Sequence, residues 1–312
     1  MHVIAVLVAA LLFGTTGTAQ ALGPEGTTPL SVGAVRLVIG GTGLAVIAFV
    51  LARRHHAKTN ADPDAAARPR LGARPLLLMV LTGACLALYQ PLFFLGTARN
   101  GVAVGTVVAL GAAPIMAGVL EWGLTRRRPS AAWMGATAVA TVGVVMLGMG
   151  GQADAAAGTD PLGLLGSLGA AASFAVIANT QRRLLDDGWD PFTVVGAMGA
   201  SSAVIMACVL PFVDLTWLAT LSGLAMALWL GLATISIAYV LFTWGLSGLT
   251  AATAATLTLG EPLTASILGI VVLDERLSAL AIAGLVVLGL GLALLAWGSR
   301  SPRDPTPFAV EG

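Results

Sequence analysis

An all-α integral membrane protein, with ten transmembrane helices arranged as two inverted five-helix repeats, is the fold this sequence predicts. Three observations lead there. The 312 residues are 57% hydrophobic and 10% charged, with a mean hydropathy of +0.91, whereas soluble domains carry about 25% charge. Residues 215–260 hold no charged side chain. At about 1.5 Å per residue one helix of that length would reach roughly 69 Å, more than twice a bilayer core of about 30 Å, so the run folds back as two spans. Finally, the chain aligns with itself at an offset of 148 residues, matching 94–150 to 242–298 without a gap.

Charge-poor runs place the spans at 2–22, 31–52, 75–98, 101–124, 131–150, 161–181, 191–213, 219–243, 249–273 and 278–298, each about the length a bilayer requires. The first ends on Ala19-Gln20-Ala21, which resembles a signal-peptidase site. Residues 1–13 carry no Lys or Arg, however, and the run is long enough to span, so it is read as a retained helix. Arg53-Arg54 closes the second span; Arg74 and Arg99 bracket the third. Arg126-Arg127-Arg128 ends the fourth, and Arg182-Arg183 stops the sixth. Asp214 follows the seventh, and Asp274-Glu275-Arg276 separates the last two. Trp244-Gly245-Leu246-Ser247-Gly248 turns the chain between the eighth and ninth, because paired glycines interrupt helices. In lipid only structures that satisfy their own backbone are viable, and at this composition that means helices.

With ten spans, 13 of the 16 basic residues fall on one side. The positive-inside rule puts that side, and both termini, in the cytoplasm. A net charge of +1 argues against a nucleic-acid partner. Cys85 and Cys208 sit in apolar runs and read as small hydrophobes. His55, His56, Asp62 and Asp64 share the long loop 53–74. Their spacing fits no rigid ligand frame, so the loop is read as a solvated basic segment rather than a metal site. No cofactor is expected.

In the internal alignment Phe94 meets Phe242, Pro114 meets Pro262, Arg128 meets Arg276 and Ser130 meets Ser278; Ala117/Ala265 and Gly143/Gly291 also match. Five spans per copy is an odd number, so the copies lie in opposite orientations. Inverted repeats with a midplane binding site at their interface characterise secondary transporters. The expected units are 1–152, 153–299 and a cytoplasmic tail, 300–312. No GxxxxGK[ST] loop is present to drive transport by nucleotide hydrolysis.

Several segments resemble EamA-type members of the drug/metabolite transporter superfamily. They are Leu12-Phe13-Gly14-Thr15-Thr16-Gly17-Thr18-Ala19, Ser31-Val32-Gly33-Ala34-Val35-Arg36-Leu37 and, more closely, Ala238-Tyr239-Val240-Leu241-Phe242 followed by Trp244-Gly245-Leu246. Thr256-Leu257-Thr258-Leu259-Gly260-Glu261-Pro262-Leu263-Thr264-Ala265 and Leu273-Asp274-Glu275-Arg276-Leu277-Ser278 complete the pattern. The resemblance implies a ten-helix inner-membrane transporter exporting amino acids, other metabolites or drugs. The copies differ where Ala113 stands against Glu261 and Arg127 against Glu275, so any role of those carboxylates belongs to the second half.

Glu261 lies near the middle of its span, where a carboxylate costs about 2.5–3.5 kcal/mol unless it is paired or faces a cavity. It is the first candidate for proton coupling or amine binding; bracing the Pro262 break is the structural alternative. Pro262 removes a donor and frees a carbonyl near Thr258, which would then line the site, and Pro114 would repeat the break in the first half. Arg36 either snorkels to the headgroups or reaches inward to a substrate carboxylate or Glu261. Tyr89, Gln90, Asn179, Tyr239 and Trp244 complete the candidate set as polar or aromatic groups in or at the ends of spans, suited to stacking or cation–π contact. Glu121 is expected to pair with Arg126 at the interface. The chain offers no paired His, Ser-His-Asp set or metal spacing within the spans and no sizeable soluble domain, which weighs against an enzyme or a receptor. The expected function is a secondary transporter exporting small amphipathic metabolites such as amino acids or amines, by proton exchange or as an uncoupled facilitator.

Overall fold

The computed structural model describes residues 1–59, 69–150 and 160–298. Among them all regular structure is helical, and ten stretches are long and apolar enough to cross a bilayer. They are α1 (His2–Ala21), α2 (Pro29–Arg54), α3 (Ala73–Gly101), α4 (Val104–Thr125), α5 (Ala131–Gly150), α6 (Pro161–Asp186), α7 (Pro191–Phe212), α8 (Leu221–Leu246), α9 (Ala251–Leu273) and α10 (Ala279–Gly298). Their bounds follow the charge-defined spans closely. The side chains of His55 and His56, residues 60–68 with Asp62 and Asp64, and the tail 300–312 lie outside the described residues. Among the described ones, no group of three His, Cys, Asp or Glu side chains could hold a metal ion.

Local chemistry fixes where the helices begin. Asp160 and Asp190 accept the amides of Leu162 and Thr193, each at 2.9 Å, just before Pro161 and Pro191. Thr220 and Thr250 cap α8 and α9 the same way. Such caps satisfy amides that the helix leaves without partners. Gly101, at φ +79°, lets α3 turn sharply into α4, a conformation costly for any residue with a Cβ.

Helix ends also carry the imprint of the repeat. Arg126 (φ 58°) and Asp274 (φ 54°) are the non-glycine residues with positive φ among the described ones; they close α4 and α9. They stand 148 positions apart. Asp tolerates this left-handed region better than Arg, so the shared conformation follows the position in the unit, not the residue type.

Packing repeats as well. The α5–α10 contact sets Gly143 against the backbone of Leu288 and the carbonyl of Gly284, and Gly291 against the backbone of Ala140. Gly143 and Gly291 are 148 residues apart, as are Ala140 and Leu288, so the two contacts are images of each other. Between α2 and α7, Gly41 and Gly199 lie against one another's carbonyl oxygens. Small residues let backbones approach, which is what binds helices where lipid is as apolar as a side chain. The outward faces of α10 carry Ile282, Val286, Leu290, Leu294 and Trp297, all exposed.

Two expectations need correction. Helix α4 keeps helical dihedrals through Pro114, so the first half has no counterpart to the break in α9: the lost donor is tolerated within a continuous helix. The break in α9 itself falls at Thr258–Leu259, between helical segments Ala251–Leu257 and Gly260–Leu273. Pro262 thus sits in the first turn of the second segment, where its missing N–H matters least.

Two outcomes follow from this packing and capping. Gly143→Ala forces α5 off α10 and lowers the unfolding midpoint in detergent by the equivalent of about 1–3 kcal/mol. Gly135→Ala, with open space around it, leaves the midpoint unchanged or raises it. The Arg99 guanidinium, bonding at 2.8 Å, and the Leu162 amide hold the Asp160 carboxyl below its ordinary pKa. A depressed carboxylate stabilises above its unfolded pKa and loses that contribution as pH falls through the folded value. Acidification below about pH 4 therefore lowers the melting midpoint, and Asp160→Asn blunts the drop.

Candidate functional site

Seven helices leave a cavity of about 100 Å³ at the centre of the bundle, open at one mouth. Of the candidate residues, the structure brings Arg36 (α2), Tyr89 and Gln90 (α3), Tyr239 (α8), and Thr258 and Glu261 (α9) to its lining. Phe13, Thr16 and Gln20 of α1 complete one side, and Phe93 and Phe94 another. Residues Thr16, Gln20, Phe93 and Phe94 lie in the later turns of α1 and α3, so the cavity extends toward the face where those helices end.

Arg36 does not snorkel. It is 9% exposed, and its Nη2 donates to Thr234 Oγ1 at 3.1 Å. The neighbouring turns explain the placement. Gly40, one turn along the same face of α2, packs against the Gly231 carbonyl and Ile235. Beside it α8 widens into a π-helical stretch, Trp229–Ile237, a departure common at functional sites. Ser236 Oγ donates to the Gly40 carbonyl at 2.7 Å, tying the two helices. This seats the guanidinium over the widened turn, with its Nε–H buried and without a protein acceptor. A buried donor left unmatched is costly, and an anionic group entering the cavity would relieve it.

Glu261 lines the same cavity as this cation. Its position follows from the α9 break. The Thr258 carbonyl, which Pro262 cannot engage, accepts the Glu261 N–H at 2.9 Å; it is not left free to line the site as expected from sequence. The Thr258 hydroxyl is likewise engaged, donating to Ala255 O at 2.7 Å. On the α1 side Gly14 sits against the Glu261 carbonyl and Thr264, so the small residue sets how near α1 comes to the break.

Aromatic rings form the remaining surface. Tyr89 stacks on Phe93 at 5.9 Å with an 8° interplanar angle, and Phe93 meets Phe94 edge-on. Across the cavity Phe13 meets Tyr239 edge-on at 5.2 Å, and Phe242 lies beneath them, fully buried, against Phe174 and Tyr239. The chamber therefore combines one cation, one carboxylate, two phenol hydroxyls and an apolar aromatic wall.

Three candidates sit elsewhere. Asn179 Nδ2 donates to the carbonyls of Ala117 and Ala175 and joins α6 to α4. Trp244 ends α8, its ring 4.9 Å from that of His2 and its carbonyl 3.2 Å from His2 Nδ1. Pro262 is buried beside Glu261 and is not among the residues that line the cavity. Glu121 bonds the Ala252 amide at 2.7 Å rather than serving as the expected partner of Arg126. Sequence reasoning passed over Thr16 and Gln20, although a polar pair at i and i+4 in an apolar helix marks one face. It also passed over Phe13, Phe93, Phe94 and Phe174, which in a membrane span look like any lipid-facing ring.

Comparison with known proteins follows the same outline. A model of the EamA-like transporter family matches residues 1–149 and again 161–297. An uncharacterized transporter of Bacillus subtilis (strain 168), YwfM, is 39% identical over 299 residues, covering 96% of this chain and 93% of that protein. A crystal structure superposes with a TM-score of 0.75 at 20% identity, covering 96% of this chain and 97% of the other; at that identity the likeness concerns the fold.

Thr234→Val removes Arg36's acceptor and is expected to cost about 1–3 kcal/mol, read as a lower melting midpoint in detergent. Thr234→Ser, which keeps the hydroxyl, retains wild-type stability within a few tenths of that loss.

Proposed function

The chain belongs to the EamA-like transporter family, and from that premise we propose that it exports small amphipathic metabolites, amino acids or amines, in exchange for protons. The observation that carries this reading is that Arg36 and Glu261 line one chamber together with Tyr89, Phe93, Phe13 and Tyr239. A carboxylate on the solute meets the free Nε–H of Arg36; an ammonium group meets Glu261 and the faces of the aromatic rings. The apolar remainder of the solute lies on the aromatic wall. Because helices wall the cavity on all sides but its mouth, these charges are less screened by solvent than surface charges.

Glu261 serves both solute amines and protons in this reading: proton entry releases the amine, and deprotonation readies the site again. Gln90 gives polar contacts alongside, and Thr258 Oγ1, whose proton is committed to Ala255 O, acts only as an acceptor. The two copies, 1–152 and 153–299, act as the inverted halves that rock about this midplane site. The positive-inside rule orients the protein in the bacterial cytoplasmic (inner) membrane with both termini inside, so the cavity mouth, at the face where α1 and α3 end, looks outward. The partners are then the solute, protons and lipid.

Everted vesicles carrying the protein test this. A pH gradient is expected to accelerate movement of amino acids or amines in the wild type, with the acceleration lost about tenfold or more in Glu261→Gln. Equal acceleration in the two would remove the coupling role from Glu261, and no acceleration in the wild type would leave an uncoupled facilitator. Arg36→Gln is expected to raise the KM for carboxylate-bearing solutes by about tenfold, the size of one charge-assisted bond, with a smaller effect on amines that lack a carboxylate.

A further inference from the structure

The cavity does not use Arg182 or Glu121, yet both are ionisable residues placed within apolar helices. Arg182 lies at the end of α6 with 14% of its side chain exposed. Nη1 donates to three backbone carbonyls of the α8–α9 turn: Leu246 at 2.9 Å, Ser247 at 3.0 Å and Leu249 at 3.0 Å. Nε and Nη2 are held by the Asp186 carboxylate one turn on. Glu121, at the end of α4, accepts the Ala252 amide at 2.7 Å, on the other side of the same turn. A cation thus grips the carbonyl end of α8, and a carboxylate grips the amide end of α9. Each charge matches the sign the helix terminus attracts.

This turn lies on the face opposite the cavity mouth. Between it and the chamber, Ile177, Ala178, Phe242, Leu246 and Leu257 are fully buried, so the path is closed there. The mouth end has a weaker tie. Arg99 and Asp160 join α3 to α6 at 2.8 Å, but their side chains are 50% and 32% exposed, and exposed pairs contribute little. Bonds from a charged group to buried carbonyls contribute more.

We propose that Arg182 and Glu121 are positioning residues forming the cytoplasmic latch of the transport cycle. They hold the α8–α9 turn over the inner end of the pathway while the cavity faces outward, and they release it when the inner end opens. Glu121 of α4 belongs to the first half and grips a turn of the second, so moving one half against the other strains that bond directly, while Arg182, in the same half as the turn, holds the turn in the shape that Glu121 engages. This rests on the transport reading above; the test below needs no solute, so its outcome is independent of any flux result.

The experiment uses the full chain with Cys85→Ala and Cys208→Ala, and reads the reaction of single cysteines with a membrane-impermeant maleimide. Ala178→Cys lies between the chamber and Arg182, and is probed from the cytoplasmic side in everted vesicles. Gln90→Cys lines the chamber and is probed from outside. Adding Arg182→Gln is expected to raise the rate at 178 about tenfold and to lower the rate at 90, as the population moves from outward- to inward-open. Glu121→Ala is expected to act in the same direction, with Arg182→Lys intermediate. An unchanged rate at both positions overturns the proposal. So does a rise at both, which is the signature of a loosened or misfolded bundle.

Discussion

Helices in lipid gain little from the hydrophobic effect against one another, so this bundle depends on how closely its backbones can approach. Gly41 against Gly199, and Gly143 and Gly291 against Leu288 and Ala140, provide the contacts without side chains between them. The α5–α10 contacts come as images under the 148-residue offset. That arrangement holds two copies together at their rim and leaves room at the centre. Gly14 and Gly40 carry the same logic inward: each brings one helix near an irregular stretch of another, the α9 break and the π-helical turns of α8.

Irregular backbone at membrane depth is tolerated only where protein or a cavity covers it. Both irregular stretches here border the cavity, and each presents a polar group to it. The widened turns of α8 hold Thr234 under Arg36, and the interruption of α9 sets Glu261 at the start of a new helical segment. The unusual backbone and the charged chemistry are therefore one feature: a regular helix in either place would have pointed a different face at the chamber.

Four charges within the spans divide into two pairs by what surrounds them. Arg36 and Glu261 face the chamber, where the Arg36 Nε–H has no protein acceptor. Arg182 and Glu121 are engaged by backbone at a single turn. Both kinds look alike in a hydropathy trace, as interruptions in an apolar run. Which one a residue belongs to depends on helices far away in the chain: Thr234 is 198 positions from Arg36, and Ala252 is 131 from Glu121.

The sequence by itself determined the number of spans, their bounds, the all-helical class and the offset that relates the halves. These follow from bilayer thickness and from where charges are excluded, both local properties. Glu261, Arg36, Tyr89, Gln90, Tyr239 and Thr258 could be picked out for the same reason, since polar groups stand out against lipid. Tertiary structure alone decided which of them share a chamber. It sent Asn179 to the α4 backbone and Trp244 to His2, and it turned Glu121 from Arg126 toward an amide of α9. It also gave the phenylalanines their wall, because a ring facing lipid and a ring facing a cavity are identical in sequence and differ only in what lies across from them.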